Sequence, residues 1–144
     1  MSSEPFPLPD VEDPRLVRFW DGAALGELRL PRCTACQRFN WYPEASCRFC
    51  SAAEFAWGAL SGKGTLFSWS HVLHPIEPSI APLAPYTVAL MAIAEDPRVR
   101  LVSRLVDCDP QALRADMPVR TIFRDLGYPN LATGVAAPLL VPDA

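Results

Sequence analysis

Two close cysteine pairs, Cys33-x-x-Cys36 and Cys47-x-x-Cys50, stand with ten residues between them and constrain this chain more than anything else in it. In each pair a tight turn lets two thiolates face one point, and backbone N–H groups after the first cysteine can bond the sulfurs. Two such knuckles supply four sulfurs, the closed tetrahedral set of a zinc ribbon. Iron of the rubredoxin kind fits the same sulfurs, and redox disulfides are the other rival. A redox C-x-x-C sits at a helix start in a thioredoxin-like pattern, which this sequence lacks. The spacing therefore favours one tetrathiolate zinc on Cys33, Cys36, Cys47 and Cys50. A catalytic zinc needs an open position and four thiolates leave none, so the expected metal is structural. Its binding contributes on the order of 10 kcal/mol to folding a ribbon that has little core of its own. The fifth cysteine, Cys108, ends an apolar run and reads as a small buried residue rather than a ligand.

The compartment matters to that choice. The opening Met-Ser-Ser-Glu-Pro has no basic start followed by an apolar stretch, so no secretory signal is expected there. The longest apolar run, Val88–Ala94, is strand-sized and too short for a membrane span. The expectation is a cytoplasmic protein in a reducing compartment, where paired cysteines hold metals more often than disulfides. A net charge of −3 with Lys63 as the only lysine lacks the basic footprint that nucleic acid requires.

Sixteen prolines against seven glycines argue for short extended pieces and fixed turns, not a helical bundle. Residues 1–13 read as an extended arm. A short helix follows, with Asp13 as N-cap, Pro14 in its first turn, an apolar stripe of Leu16, Val17, Phe19 and Trp20, and Asp21-Gly22 closing it. After the cysteines the period changes to two. Residues 64–73 alternate, placing Phe67, Trp69 and His71 on one face. Residues 86–94 are apolar on both faces, as in a central strand, and 99–108 are its antiparallel partner across a turn at 95–98. Residues 117–126 make a fourth strand and 131–141 a fifth. Five short strands at this size predict a small OB-type barrel, with Gly58–Gly64 as the turn into it. Between two strands lies His74–Pro85, with four prolines, too long for a hairpin turn and too stiff for a floppy linker. It is either a functional loop or an extended segment packed along the barrel.

Elsewhere the chemistry is sparse. His71 and His74 lack the acids or third histidine that would complete a metal site, and no serine lies in a nucleophile elbow. No self-contained active site is visible. Aromatic residues, by contrast, are in surplus: Phe39, Trp41, Tyr42, Phe49, Phe55 and Trp57 crowd a ribbon with little interior to hide them. Either the ribbon packs on the barrel or part of it meets a partner; a protein interface is favoured.

The order of parts resembles one bacterial and archaeal family. A short helix containing FWDGAALGELRLPRC, a four-cysteine ribbon, a barrel strand in APYTVALMAIAED and a later MPVR strand are similar to the acyl-CoA-associated zinc-ribbon/OB-fold proteins, long catalogued as domain of unknown function thirty-five. The likeness covers roughly residues 10 to 140. It implies a mainly β chain divided into an arm and helix at 1–30, a zinc ribbon at 31–57 and a five-stranded OB barrel at 58–144. Family members commonly carry glycine after each cysteine pair and before the M-x-V strand. This chain has Gln37, Ser51 and Asp116 there, which puts the left-handed turns in question.

The resemblance also implies a role. Such proteins are obligate partners of thiolase-fold enzymes, including thiolases and the lipid-transfer-protein-like aldolases of steroid side-chain degradation. It carries the metal role onto the four cysteines and no catalytic residue onto this chain, because the partner holds the chemistry. On this reading the chain is not an enzyme alone but a required subunit of an acyl-CoA aldolase or thiolase complex. Contacts to the partner or its acyl-CoA are expected at Phe39, Trp41 and Tyr42 in the ribbon and at His74, Pro75, Pro85 and Tyr86 around the proline loop. A nucleic-acid-binding module is the alternative, since OB barrels and zinc ribbons both serve that role.

Overall fold

The alternating and doubly apolar segments after residue 60 become five strands. They are β3 (Lys63–Val72), β4 (Tyr86–Ile93), β5 (Arg100–Leu105), β6 (Pro118–Asp125) and β7 (Ala136–Pro142), preceded by helix α1 (Val17–Ala24) and two short ribbon strands, β1 (Arg32–Cys33) and β2 (Phe55–Ala56). The computed structural model describes residues 5–143. The barrel closes in the order β3-β4-β5-β7-β6, with every pairing antiparallel except β5 with β7. The chain is thus mainly β, with a short N-terminal helix, a four-cysteine ribbon and a closed five-stranded OB barrel. Closure leaves no free sheet edge in the barrel.

The central strand behaves as its composition requires. Thr87, Ala89, Met91, Ala92 and Ile93 are buried, and Leu66, Leu101, Leu105, Val119 and Leu140 meet them inside. The same core runs into the other parts: Phe19 of α1, Leu28, Leu30 and Phe39 belong to it, and Trp20, Trp41 and Trp57 pack against it. Helix, ribbon and barrel therefore share one interior, which takes in Phe39, Trp41 and Trp57, half of the ribbon's aromatic residues.

Three local expectations are corrected. Asp13 caps the turn ahead of the helix and not α1 itself: its carboxylate accepts the Arg15 N–H at 2.9 Å, its carbonyl accepts from Leu16 and Val17, and α1 begins at Val17. Asp21-Gly22 lies inside α1, which runs on to Ala24. A Cβ at Gly22 would come within 2.8 Å of the Arg29 side chain and the Glu27 carbonyl, so this glycine permits the chain to fold back over the helix. The turn falls at Gly26, at φ +74°. In β3, a bulge between Leu66 and Ser68 breaks the alternation, so Phe67 is exposed under Arg100 at 3.7 Å while Trp69 packs on the core.

The proline loop is neither slack nor simply extended. It holds a 3-10 helix, Pro78–Leu83, whose first turn is capped by the Glu77 carboxylate accepting from Ser79 N. Leu83 and Ser79 are buried, and the Asn130 side chain donates to the Pro82 carbonyl. The Asp109-Pro110 turn repeats the device, with Asp109 accepting from Gln111 N at 2.9 Å. Of the arm, residues 5–10 have no regular structure, and residues 1–4 lie outside the described part.

Candidate metal centre and the surfaces beside it

The two knuckles are built alike. After the first pair the Gln37 N–H bonds the Cys33 carbonyl at 2.9 Å, and after the second the Ser51 N–H bonds the Cys47 carbonyl at 2.8 Å. Both residues sit at φ 66°, so the left-handed turn is kept without glycine. The turn before β6 is kept the same way by Asp116 at φ 64°. Such a backbone costs a residue with a Cβ about 1–2 kcal/mol, which the surrounding bonds must offset. Cys47 N–H to the Ala52 carbonyl at 2.7 Å and Thr34 N–H to the Glu54 carbonyl at 3.1 Å, with the β1–β2 pairing of Cys33 to Phe55, lock the knuckles to the returning chain.

The result is one cluster. The ligand sulfurs of Cys33, Cys36, Cys47 and Cys50 all lie within 4.8 Å of one another. Cys33 and Cys50 are 3.5 Å apart and Cys36 and Cys47 3.6 Å. Tetrahedral ligands at a Zn–S distance near 2.3 Å stand about 3.8 Å from each other, so the set needs little adjustment to take the ion. A disulfide needs about 2.05 Å, and the five cysteines are free thiols. Cys108 is far from this role, half-buried against the barrel core.

Amide donors prepare the sulfurs for a cation. Backbone N–H groups of Cys36 and Phe49 reach the sulfurs of Cys33 and Cys47 at 3.5 and 3.4 Å. Asn40, wholly buried, adds a side-chain donor: its Nδ2 lies 3.4 Å from the Cys47 sulfur and its Oδ1 accepts the Arg48 N–H at 3.0 Å. Burial pushes the Cys47 thiol up, but the Phe49 N–H and the Asn40 amide outweigh it and bring the group down to about 6. At Cys50 the Ala52 N–H pulls down, yet the Cys33 sulfur, burial and the remaining sulfurs push it up to about 11. Cys33 is lowered, chiefly by the Cys36 N–H. In Cys36 an N–H from Arg38 pulls the other way, but burial and the Cys47 and Cys33 sulfurs raise it. Four sulfurs thus share negative charge that a divalent ion would neutralise.

The other expected contact residues scatter. Phe39 is buried in the core beneath Arg32, 5.4 Å from its ring centre, and does not face outward. Trp41 is half-buried against Phe19 at 4.9 Å, whereas Tyr42 is 57% exposed. His74 and Pro85 are exposed, Pro75 and Tyr86 half-buried. Pro85 and Tyr86 line a shallow hollow with His71 and Leu73. His71 bonds the Thr87 hydroxyl at 2.9 Å, an ordinary strand contact. Asn40 escaped the sequence reading, because a lone asparagine in a loop carries no spacing signal.

A second groove runs between α1, the ribbon and strands β5 and β7. Its volume is about 340 Å³, and Phe19, Trp20, Trp41, Val102, Arg104 and Leu139 are among its walls. Among the described residues no helix is long and apolar enough to cross a membrane.

Comparison with known proteins agrees with this anatomy. Residues 20–56 match the rubredoxin-like zinc ribbon domain of ChsH2, and residues 57–124 the C-terminal OB-fold domain of ChsH2. The match and the four clustered sulfurs assign the cofactor as one zinc ion. The chain is 31% identical over 102 residues to a probable enoyl-CoA hydratase alpha subunit of Thermomonospora curvata, covering 70% of this chain and 31% of that protein. It is 38% identical over 64 residues to a DUF35 domain-containing scaffold protein of Methanothermobacter thermautotrophicus, covering 44% of this chain and 46% of that protein. The chain thus spans less than half the length of these two relatives. In solved structures, a chain of an Ltp2-ChsH2(DUF35) aldolase superposes with a TM-score of 0.79 at 24% identity, over 94% of this chain and 98% of that one. A DUF35-family protein of unknown function from Sulfolobus solfataricus gives 0.58 at 12% identity, over 93% and 89%.

Proposed function

Because the chain belongs to the ChsH2-type zinc-ribbon/OB-fold (DUF35) family, we propose that it is a non-catalytic accessory subunit of a thiolase-fold enzyme acting on acyl-CoA, such as a steroid side-chain aldolase or a thiolase. The zinc holds the ribbon and does no chemistry, since four thiolates fill its coordination. The barrel and the proline loop cover the partner and shape its acyl-CoA channel, the ribbon stabilises the assembly, the partner supplies the reacting groups, and the complex works in the cytoplasm.

The observation that carries this reading is the presentation of the proline loop. Leu73 is 62% exposed and Ile76 wholly exposed, on the stretch between β3 and the 3-10 helix that the Glu77 cap and the Asn130 contact hold. Large apolar side chains presented to water beside a capped turn gain by burial, which suits an interface. His74 and Pro75 stand beside them, and Tyr42 and Phe49 add exposed aromatic surface on the ribbon.

Co-expression with a thiolase-fold protein encoded beside it tests this. The two are expected to co-purify, and Ile76→Arg with Leu73→Arg to weaken the complex at least tenfold. No association of the wild-type chain contradicts it. The nucleic-acid reading has one observation in its favour, the exposed Phe67–Arg100 stack on the barrel. Salt-dependent binding to single-stranded DNA at physiological ionic strength would promote it.

A further inference from the structure

The groove beside the ribbon combines two features that belong together. Its walls are aromatic and aliphatic, with Phe19 set 5.0 Å from Trp20 and 4.9 Å from Trp41. One cation enters it. Arg104 is half-buried, donates to the Leu126 carbonyl at 2.9 Å, and forms no ion pair among the described residues. Burial disfavours its charge, since no carboxylate has been supplied to offset the lost hydration.

The shape selects the class of occupant. Small-molecule sites bury about 70–90% of their ligand, and this groove is open along one side. Its apolar surface continues outward over Tyr42, 57% exposed, and Val102, 42% exposed. A free amphipathic acid would lie half in water here. A polypeptide can fill the groove, extend over Tyr42 and Val102, and place a side-chain carboxylate on the arginine.

We propose that this groove docks a segment of a partner protein whose apolar side chains lie on Phe19, Trp41 and Val102 and whose aspartate or glutamate pairs with Arg104. The identity of the partner rests on the accessory-subunit reading; the chemistry of the segment does not.

The test has two arms, both with the zinc-loaded full chain. In the first, displayed random dodecapeptides are selected on the wild-type protein. The proposal expects apolar sequences sharing one acidic residue, with binding at least tenfold weaker to Arg104→Glu and Val102→Arg. Binding to Arg104→Glu should return when the peptide's acid becomes lysine. Arg104→Leu, compatible with the apolar wall, replaces the Glu variant if that one loses its zinc. Failure to select any peptide, acid-free peptides, equal binding to all variants, or decanoate binding at micromolar concentration and quenching the Trp20/Trp41 fluorescence would each overturn it. In the second arm the thiolase-fold protein replaces the peptides. Association unchanged by Arg104→Glu and Val102→Arg overturns the groove and leaves the accessory role standing. Acid-bearing peptides selected on a chain that ignores the thiolase-fold protein uphold the groove and sink the accessory role.

Discussion

The side-chain amide of Asn40 donates to the Cys47 sulfur at 3.4 Å while its carbonyl oxygen holds the Arg48 N–H at 3.0 Å. One buried residue thus ties a metal ligand to the knuckle that carries it. Outer partners of this kind typically contribute 10–100-fold to metal affinity. Asn40→Asp keeps the acceptor and loses the donor; Asn40→Leu loses both. Competition with a chelator should show zinc held about tenfold less tightly in the first and weaker still in the second. The cobalt-substituted protein should show a shifted thiolate-to-metal absorption band in both, which a purely packing role would leave in place.

The left-handed turns make a second prediction. Gln37 and Ser51 both stand at φ 66°, where a glycine avoids roughly 1 kcal/mol of strain. Ser51→Gly should raise the thermal midpoint of the zinc-loaded chain. Gln37→Gly should raise it less, because Gln37 Nε2 also bonds the Thr34 carbonyl at 2.8 Å and that bond is lost. A fall in midpoint for Ser51→Gly would show that the turn is not strained.

Zinc loading should depend on pH with a definite sign. With Cys50 raised to about 11 and Cys36 raised as well, at least two protons must leave these thiols near neutral pH. Apparent affinity therefore rises with pH, and its slope steepens below the Cys47 value of about 6, where a further proton competes. Titration with a zinc-buffered indicator between pH 5.5 and 8, roughly the span in which such buffers work, measures it. A flat profile contradicts the assignment.

Asp125 organises the loop into β7. Its carboxylate accepts from Gly127 N at 3.2 Å, Thr133 N at 2.6 Å and the Thr133 hydroxyl at 2.8 Å, and also from Gly134 N. The Thr133 N–H, against the effect of burial and with the other donors, holds the group below the ordinary carboxylate range. Its folded pKa is depressed, so the stabilisation is present at neutral pH and is lost as pH falls through the folded value. Asp125→Asn should lower the thermal midpoint at pH 7, and the gap to wild type should close as the carboxylate is protonated.

What the sequence made legible was what local spacing encodes. The cysteine pairs meet at one point because C-x-x-C is itself a turn, and residues 86–94 are central because they are apolar on both faces. Misreadings arose where distant chain decided the outcome. Gly22 looked like a helix stop, yet it is the place where Arg29 crosses α1. Phe67 looked like a partner of Trp69, but the bulge opposite β4 turned it out to Arg100. Asn40 and Arg104 draw their meaning from neighbours 7 and 22 residues away, and no pattern along the chain announces that.

The most direct measurement is acyl-CoA cleavage by the purified thiolase-fold partner as the zinc-loaded chain is titrated in. Activity should climb from near the background to a plateau at a fixed molar ratio, with no cleavage by this chain alone. A partner equally active in its absence, or cleavage by the chain on its own, would contradict the accessory-subunit role.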